Sequence, residues 1–243
     1  MLRQEIFTLD KNIQIARDVF LMRLFGNTEG VTAPGQFVNI ALANLYLRRP
    51  ISVADAEDGV LTLIYKVVGR GTEQMKGLAR GERLDILTGL GNGFDTSKSG
   101  DSPLLVGGGV GVPPLYFLAK KLVSEGKKPR AVFGFASAQD SFFKSEFEAL
   151  GCPVTVATVD GTLGVKGLVT DAMPSDYSFF YSCGPLPMQK SLFKATSTSG
   201  ELSLEERMGC GFGACMGCSI ETAKGAKRVC KDGPVFQKED LLW

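Results

Sequence analysis

The sequence contains no histidine. That absence removes histidine-based triads, histidine metal ligands, Rieske-type centres and any histidine general acid or base. Neither sign of charge is in excess: 27 Lys and Arg stand against 26 Asp and Glu, so nothing favours nucleic acid or an anionic membrane as partner. No apolar run reaches the roughly 18 residues that a membrane helix needs, and Met1-Leu-Arg-Gln-Glu-Ile6 lacks a signal-peptide core. A cytoplasmic location is the expectation, where clustered cysteines hold metal more often than they form disulfides. What is there is ordinary for a globular protein. The 243 residues are 44% hydrophobic and 22% charged, enough for two modest domains.

The pattern along the chain predicts an α+β multi-domain protein. Residues 1–100 read as short strands and turns: Ile51-Ser-Val-Ala54 leads to the hairpin signal Asp58-Gly59, and Val60–Val68 is a long β-rich run. A helical period shows only near Thr72–Leu78, so an antiparallel β-barrel is expected. Phe94–Ser102 is polar and small, a linker. Residues 101–198 alternate strand and helix: Leu104–Val106, Pro113–Ser124, Ala131–Phe135, Phe142–Leu150, Val154–Thr158 and Tyr177–Tyr181. That alternation predicts a parallel α/β sheet. After about Ser197 regular patterning fades, and residues 199–243 form a small cysteine-bearing segment.

Four of the six cysteines lie in that segment. Cys210, Cys215 and Cys218 have the spacing C-x4-C-x2-C, and Cys230 follows. This is the arrangement that holds a 2Fe-2S cluster in plant-type ferredoxins. Thiolates carry the ligation, while Gly209, Gly211, Gly213 and Gly217 let backbone amides turn toward the sulfur atoms. A structural zinc site usually has two C-x2-C knuckles, and only one such pair exists here. An iron–sulfur site is therefore expected.

Leu104-Leu-Val-Gly-Gly-Gly-Val-Gly111 followed by Val-Pro-Pro-Leu115 reads as a strand, a glycine-rich turn and a helix, the context in which backbone approaches a pyrophosphate. Gly107, Gly108, Gly109 and Gly111 are the candidate dinucleotide residues, with Pro114 where the last glycine of G-x-G-x-x-G would stand. By this point the chain resembles the ferredoxin–NADP reductase superfamily, which orders an FAD-binding barrel before a pyridine-nucleotide domain. The flavin signature R-x-Y/F-S/T is matched by Arg49-Pro50-Ile51-Ser52, with Ile51 in place of the usual aromatic. The resemblance gives Arg49 to the flavin pyrophosphate and Ser52 to the isoalloxazine. It gives Ile64, Tyr65 and Lys66 backbone contact with the isoalloxazine, and Gly71 and Thr72 amides to the pyrophosphate. Taken alone, Arg49 reads better as a solvated barrel-edge charge. Pro34-Gly-Gln-Phe37 matches a family turn, and Tyr181-Ser-Cys-Gly-Pro-Leu-Pro-Met188 matches C-G-P-x-x-M. That motif implies a catalytic position for Cys183 near flavin N5, against its plainer reading as a small buried hydrophobe.

The cysteine segment narrows the resemblance. Thr158–Asp171 and Val229–Phe236 look like the electron-transfer subunits of NAD-dependent (class 1B) dihydroorotate dehydrogenases of pyrimidine synthesis. The resemblance implies a partner subunit carrying FMN, two copies of each chain, and electrons passing through 2Fe-2S and FAD to NAD. The flavin subunit of sulfide dehydrogenase or of NADH-dependent ferredoxin:NADP oxidoreductase is the alternative, and Val235 tilts the choice away from it. No arginine lies between Ala131 and Gln139 to meet a 2′-phosphate, which favours NAD. Asp140 reads as the N-cap of a helix starting at Ser141 rather than as a ribose ligand.

Overall fold

A computed structural model describes residues 2–243. The first half closes into a six-stranded antiparallel barrel of β1 (Arg3–Ala16), β2 (Val19–Phe25), β3 (Phe37–Ile40), β4 (Arg49–Glu57) and β5 (Val60–Lys66). Helix α1 (Arg70–Lys76) then precedes β6 (Arg83–Leu90). The spatial order is β1-β2-β5-β4-β3-β6, with β6 returning to pair with β1. Alternation builds its core: Phe20, Met22 and Leu24 point inward from β2, while Arg23 and Phe25 point out. Asp58 and Gly59 join β4 to β5 with φ of +50° and +74°. Two consecutive positive φ values match the right-handed strand twist, which is why the Asp-Gly pair makes a hairpin here.

The second half is a seven-stranded sheet. It is built from β7 (Leu104–Gly108), α2 (Val112–Ser124), β8 (Arg130–Phe135), α3 (Lys144–Ala149), β9 (Val154–Thr158), β10 (Val165–Lys166), β11 (Phe180–Cys183), α4 (Leu186–Ala195) and β12 (Gly200–Ser203). The chain then leaves the sheet for a hairpin, β13 (Ser219–Thr222) and β14 (Gly225–Arg228), and a turn of helix, α5 (Val229–Asp232). It re-enters as β15 (Val235–Gln237), antiparallel to β12. The sheet order is β10-β9-β8-β7-β11-β12-β15, so the strand order reverses between β7 and β11. Ligand crevices form outside the carboxyl ends of strands at such a reversal.

Helix α2 joins the two halves. Leu115, Leu118, Ala119 and Leu122 recur at helical spacing and are fully buried in one cluster with Ala54 and Ile64 of the barrel and Leu105 and Phe133 of the sheet. At the edge of this seam Lys120 donates to Asp55 at 2.7 Å and Glu57 at 2.9 Å.

The expected fold class is the one found, with local differences. The strand expected over Tyr177–Tyr181 lies at Phe180–Cys183. Helix α3 begins at Lys144 rather than near Phe142, because Phe143 has φ of +67° and its ring packs on Tyr116 with centroids 5.2 Å apart. Asp140 therefore ends a single 3-10 turn, Ala138–Asp140, and caps no α-helix. Regular structure also continues after Ser197, since β12 and β15 complete the sheet.

Candidate functional site

The carboxyl ends of β7 and β11 lie side by side, with Cys183 opposite Gly107. The glycines between β7 and α2 serve two purposes. Gly107 lies under the helix, where a Cβ would stand 2.8 Å from Val112 Cγ2, and at Gly111 a Cβ would overlap the Cys183 carbonyl. These two permit close packing of helix on strand. Gly108 and Gly109 instead face a cavity of about 400 Å³, bordered across the crevice by Phe135, Asp140, Pro185 and Met188. Pro113 and Pro114 occupy the first turn of α2, where a missing N–H leaves no bond unmade.

A second cavity, about 210 Å³, lies between this loop and the barrel. It is lined by Pro50, Ile51 and Ser52 from the start of β4 and by Ile64 and Tyr65 from the end of β5. Gly111 and Cys183 face them from the sheet. Arg49 crosses directly over Gly71, and a Cβ there would collide with its Nε. The Thr72 hydroxyl caps the start of α1, accepting from the Val68 N–H at 2.9 Å and the Gly69 N–H at 3.2 Å. The candidate flavin residues from Arg49 to Tyr65, Gly71 and Thr72 are thus gathered on one side of the barrel. Lys66 is not among the residues lining this cavity and borders the first cavity instead. The Tyr65 hydroxyl donates to Asn12 Oδ1 at 3.0 Å inside the barrel, and burial pushes its pKa up to about 12. Burial likewise pushes the Cys183 thiol up to about 12, so it is a neutral group at the junction of barrel and sheet.

The same cavity is lined by Phe37, Ser203, Leu204, Glu205 and Met208, none of which the sequence singles out as lining residues. Ser203 to Met208 arrive here only because β12 lies beside β11. Phe37 belongs to the Pro34–Phe37 turn, which is the signal that could have found it.

From Met208 the chain enters the cysteine loop. Gly211 and Gly213 have φ of +79° and +90°, which lets the backbone wind around the thiols. The Ala214 and Cys215 N–H groups donate to Cys210 Sγ at 3.2 and 3.4 Å, Gly217 N–H to Cys215 Sγ at 3.5 Å, and Cys230 N–H to Cys218 Sγ at 3.4 Å. Partial burial opposes the Cys210 thiolate, but the amides of Cys215, Phe212 and Ala214 outweigh it, and its pKa falls to about 6. Burial and the crowding of Cys218 and Cys210 drive Cys230 up to about 12. Four thiols this close repel as anions unless a cation is shared among them. All six cysteines are free thiols, and among the described residues no three Cys, Asp or Glu side chains converge on one metal-ion position. The thiols instead lie as two neighbouring pairs, an outward Cys210/Cys215 and a buried Cys218/Cys230. Asn39 of β3 ties the loop to the barrel, donating from Nδ2 to the Cys210 carbonyl at 3.2 Å.

Barrel, crevice and thiol loop together mark an electron-transferring oxidoreductase on the ferredoxin–NADP reductase fold. Residues 205–242 match the iron–sulfur cluster binding domain of dihydroorotate dehydrogenase B. Two relatives named dihydroorotate dehydrogenase B (NAD(+)), electron transfer subunit, are alike over nearly the whole chain. That of Lysinibacillus sphaericus is 44% identical over 98% of each chain, and that of Fusobacterium nucleatum 41% over 96%. A solved structure of an NADH-dependent reduced ferredoxin-NADP oxidoreductase, studied for flavin-based electron bifurcation, superposes with a TM-score of 0.88. It is 31% identical, over 98% of this chain and 90% of that one. The chain belongs to the family of dihydroorotate dehydrogenase B (NAD(+)) electron transfer subunits.

Proposed function

We propose that this chain carries electrons between a dihydroorotate-oxidising, FMN-containing partner subunit and NAD, using FAD and a 2Fe-2S cluster. The observation that carries the reading is the order of the sites. The barrel-side cavity touches the glycine loop through Val110 and Gly111, and approaches the thiol loop through Phe37 and Met208. When bound, FAD supplies the exchange between single electrons and the hydride of NAD.

Each group finds a fitting donor set. Arg49, packed tightly over Gly71, suits a pyrophosphate, and the Ser52 hydroxyl suits a polar edge of a flat ring system. Gly109, with nothing packed over it, leaves open the approach of a dinucleotide backbone, and neutral Cys183 borders the meeting point without adding charge. Two thiol pairs with inward amides suit a two-iron cluster, a pair to each iron. Residues 1–100, 101–198 and 199–243 would then serve FAD, NAD and cluster in turn, although β12 and β15 of the last segment complete the nucleotide sheet.

The outer face of the thiol loop suits docking. Phe212 is 44% and Met216 60% exposed beside exposed Cys215, while charges nearby are mixed in sign. We place the complex, two copies of each chain, in the cytoplasm; among the described residues no helix is long and apolar enough to cross a membrane.

The test is anaerobic. The chain is purified with whatever binds it in its source, and dihydroorotate is added while the visible spectrum is followed. Bleaching of flavin and cluster bands, reversed by NAD⁺, is the expected result. Bleaching by NADH but not by dihydroorotate would move the assignment to a sulfide dehydrogenase or ferredoxin reductase.

A further inference from the structure

Asparagines hold the thiol loop at both of its ends, and they do so unequally. At the far end Asn92 uses its whole amide: Nδ2 donates to the Val235 carbonyl at 2.8 Å, and Oδ1 accepts the Val235 N–H at 3.0 Å. At the near end Asn39 Nδ2 donates to the Cys210 carbonyl at 3.2 Å, but among the described residues no donor reaches its Oδ1. Asn39 is only 1% exposed. A buried acceptor without a donor is destabilising, so the residue is a poor choice for packing alone.

Alternation along β3 explains why Asn39 meets the loop. Val38 and Ile40 belong to the barrel core, which turns Phe37 and Asn39 the other way. Phe37 lines the barrel-side cavity and packs in one buried cluster with Cys218 and Cys230. The Cys210–Gly211 backbone is pressed on the same face: a Cβ on Gly211 would overlap Asn39 Nδ2 and stand 3.9 Å from Phe37 Cε2. Both thiol pairs thus meet the barrel on two side chains of one strand, and one of those side chains also walls the barrel-side cavity.

We propose that Asn39 is a positioning residue: it fixes the Cys210 end of the thiol loop against the outer face of β3, and so sets how readily single electrons pass between cluster and flavin. The inference deepens the function proposed above and rests on the cluster and FAD occupying these two sites.

The test is Asn39→Leu, which keeps the side chain's shape and removes the tie. In the complex loaded with FAD and cluster, NADH reduces the flavin, and bleaching of the cluster bands is timed per iron-loaded molecule. The rate should fall by about tenfold or more, as for other partners of metal ligands. Losing a donor beside a ligand disfavours the more negative, reduced cluster, so its midpoint potential in a redox titration should fall as well. In the metal-free chain, hydrogen exchange should quicken at residues 210–217 and not in the barrel. That reading needs no cluster, so a variant that loads poorly is still tested. Unchanged rate and potential overturn the proposal even where exchange quickens, because Asn39 then only supports the loop. Unchanged exchange overturns the tie itself. If the unsubstituted complex shows no cluster bleaching after its flavin is reduced, the assignment of the two sites fails, and the proposal falls with it.

Discussion

The barrel and the thiol loop are ordered by different means. The barrel has a closed ladder and a core in which Met22, Leu24, Leu61 and Leu63 are fully buried, each contributing about 1.5–3 kcal/mol. The loop between Leu204 and Pro234 has two short strands, one helical turn, and buried thiols at Cys218 and Cys230. One region is complete from its own apolar side chains. The other brings together four thiols, Cys210 with a lowered pKa and Cys230 with a raised one, and a bound metal group would reconcile them.

The sharpest way to break that contrast is Cys218→Ser. It should abolish iron and labile sulfide, read by metal analysis, while FAD stays bound and reducible by NADH. Loss of FAD as well would mean that the two regions fold as one. The reverse experiment, Met22→Ala, removes a side chain with no exposure from the barrel and should cost about 2–5 kcal/mol in denaturant unfolding. Iron content per folded molecule should not change.

Gly111→Ala acts at the cavity that both regions border, since its methyl would overlap the Cys183 carbonyl. We expect kcat/KM for NADH to fall by about tenfold, equivalent to about 1.4 kcal/mol, with iron content unaltered.

The smallest effect is one of pH. In metal-free protein, alkylation of Cys210 should rise through about pH 6, whereas Cys152 and Cys183 stay protonated to about 12. The two kinds of thiol move stability in opposite directions. The lowered Cys210 value adds stability that is full above its ordinary 9.0 and is lost as pH falls through about 6. The raised values of Cys152 and Cys183 subtract it as pH climbs from 9.0 toward about 12, because the unfolded chain releases protons that the folded one keeps. Mass-spectrometric labelling across pH reads the first, and unfolding curves at alkaline pH the second.

Local signals were the legible ones. Asp58-Gly59 announced its hairpin, Gly107–Gly111 its crevice, and the cysteine spacing its loop. Strand β12 was hidden because Gly200-Glu-Leu-Ser203 has a single large apolar residue, Leu202, and carries the acid Glu201. That carboxyl is 2% exposed, accepts the Asp95 N–H at 2.8 Å and a hydrogen bond from Gln237, and has its pKa raised by burial. A buried acid reads as a surface residue until its partners are seen. Asp140 was read as a cap for a related reason: its partner, Arg17, is 123 residues away, beyond any local pattern.

The neck of the thiol loop carries one more consequence. Leu204 N–H bonds to the Pro234 carbonyl at 2.9 Å where β12 leaves the sheet and β15 returns, so both ends of the loop are fastened to one rigid sheet. A redox centre on such an excursion cannot swing like a carrier on a flexible arm. It is a fixed wire rather than a shuttle, and electron passage to the flavin should be indifferent to solvent viscosity.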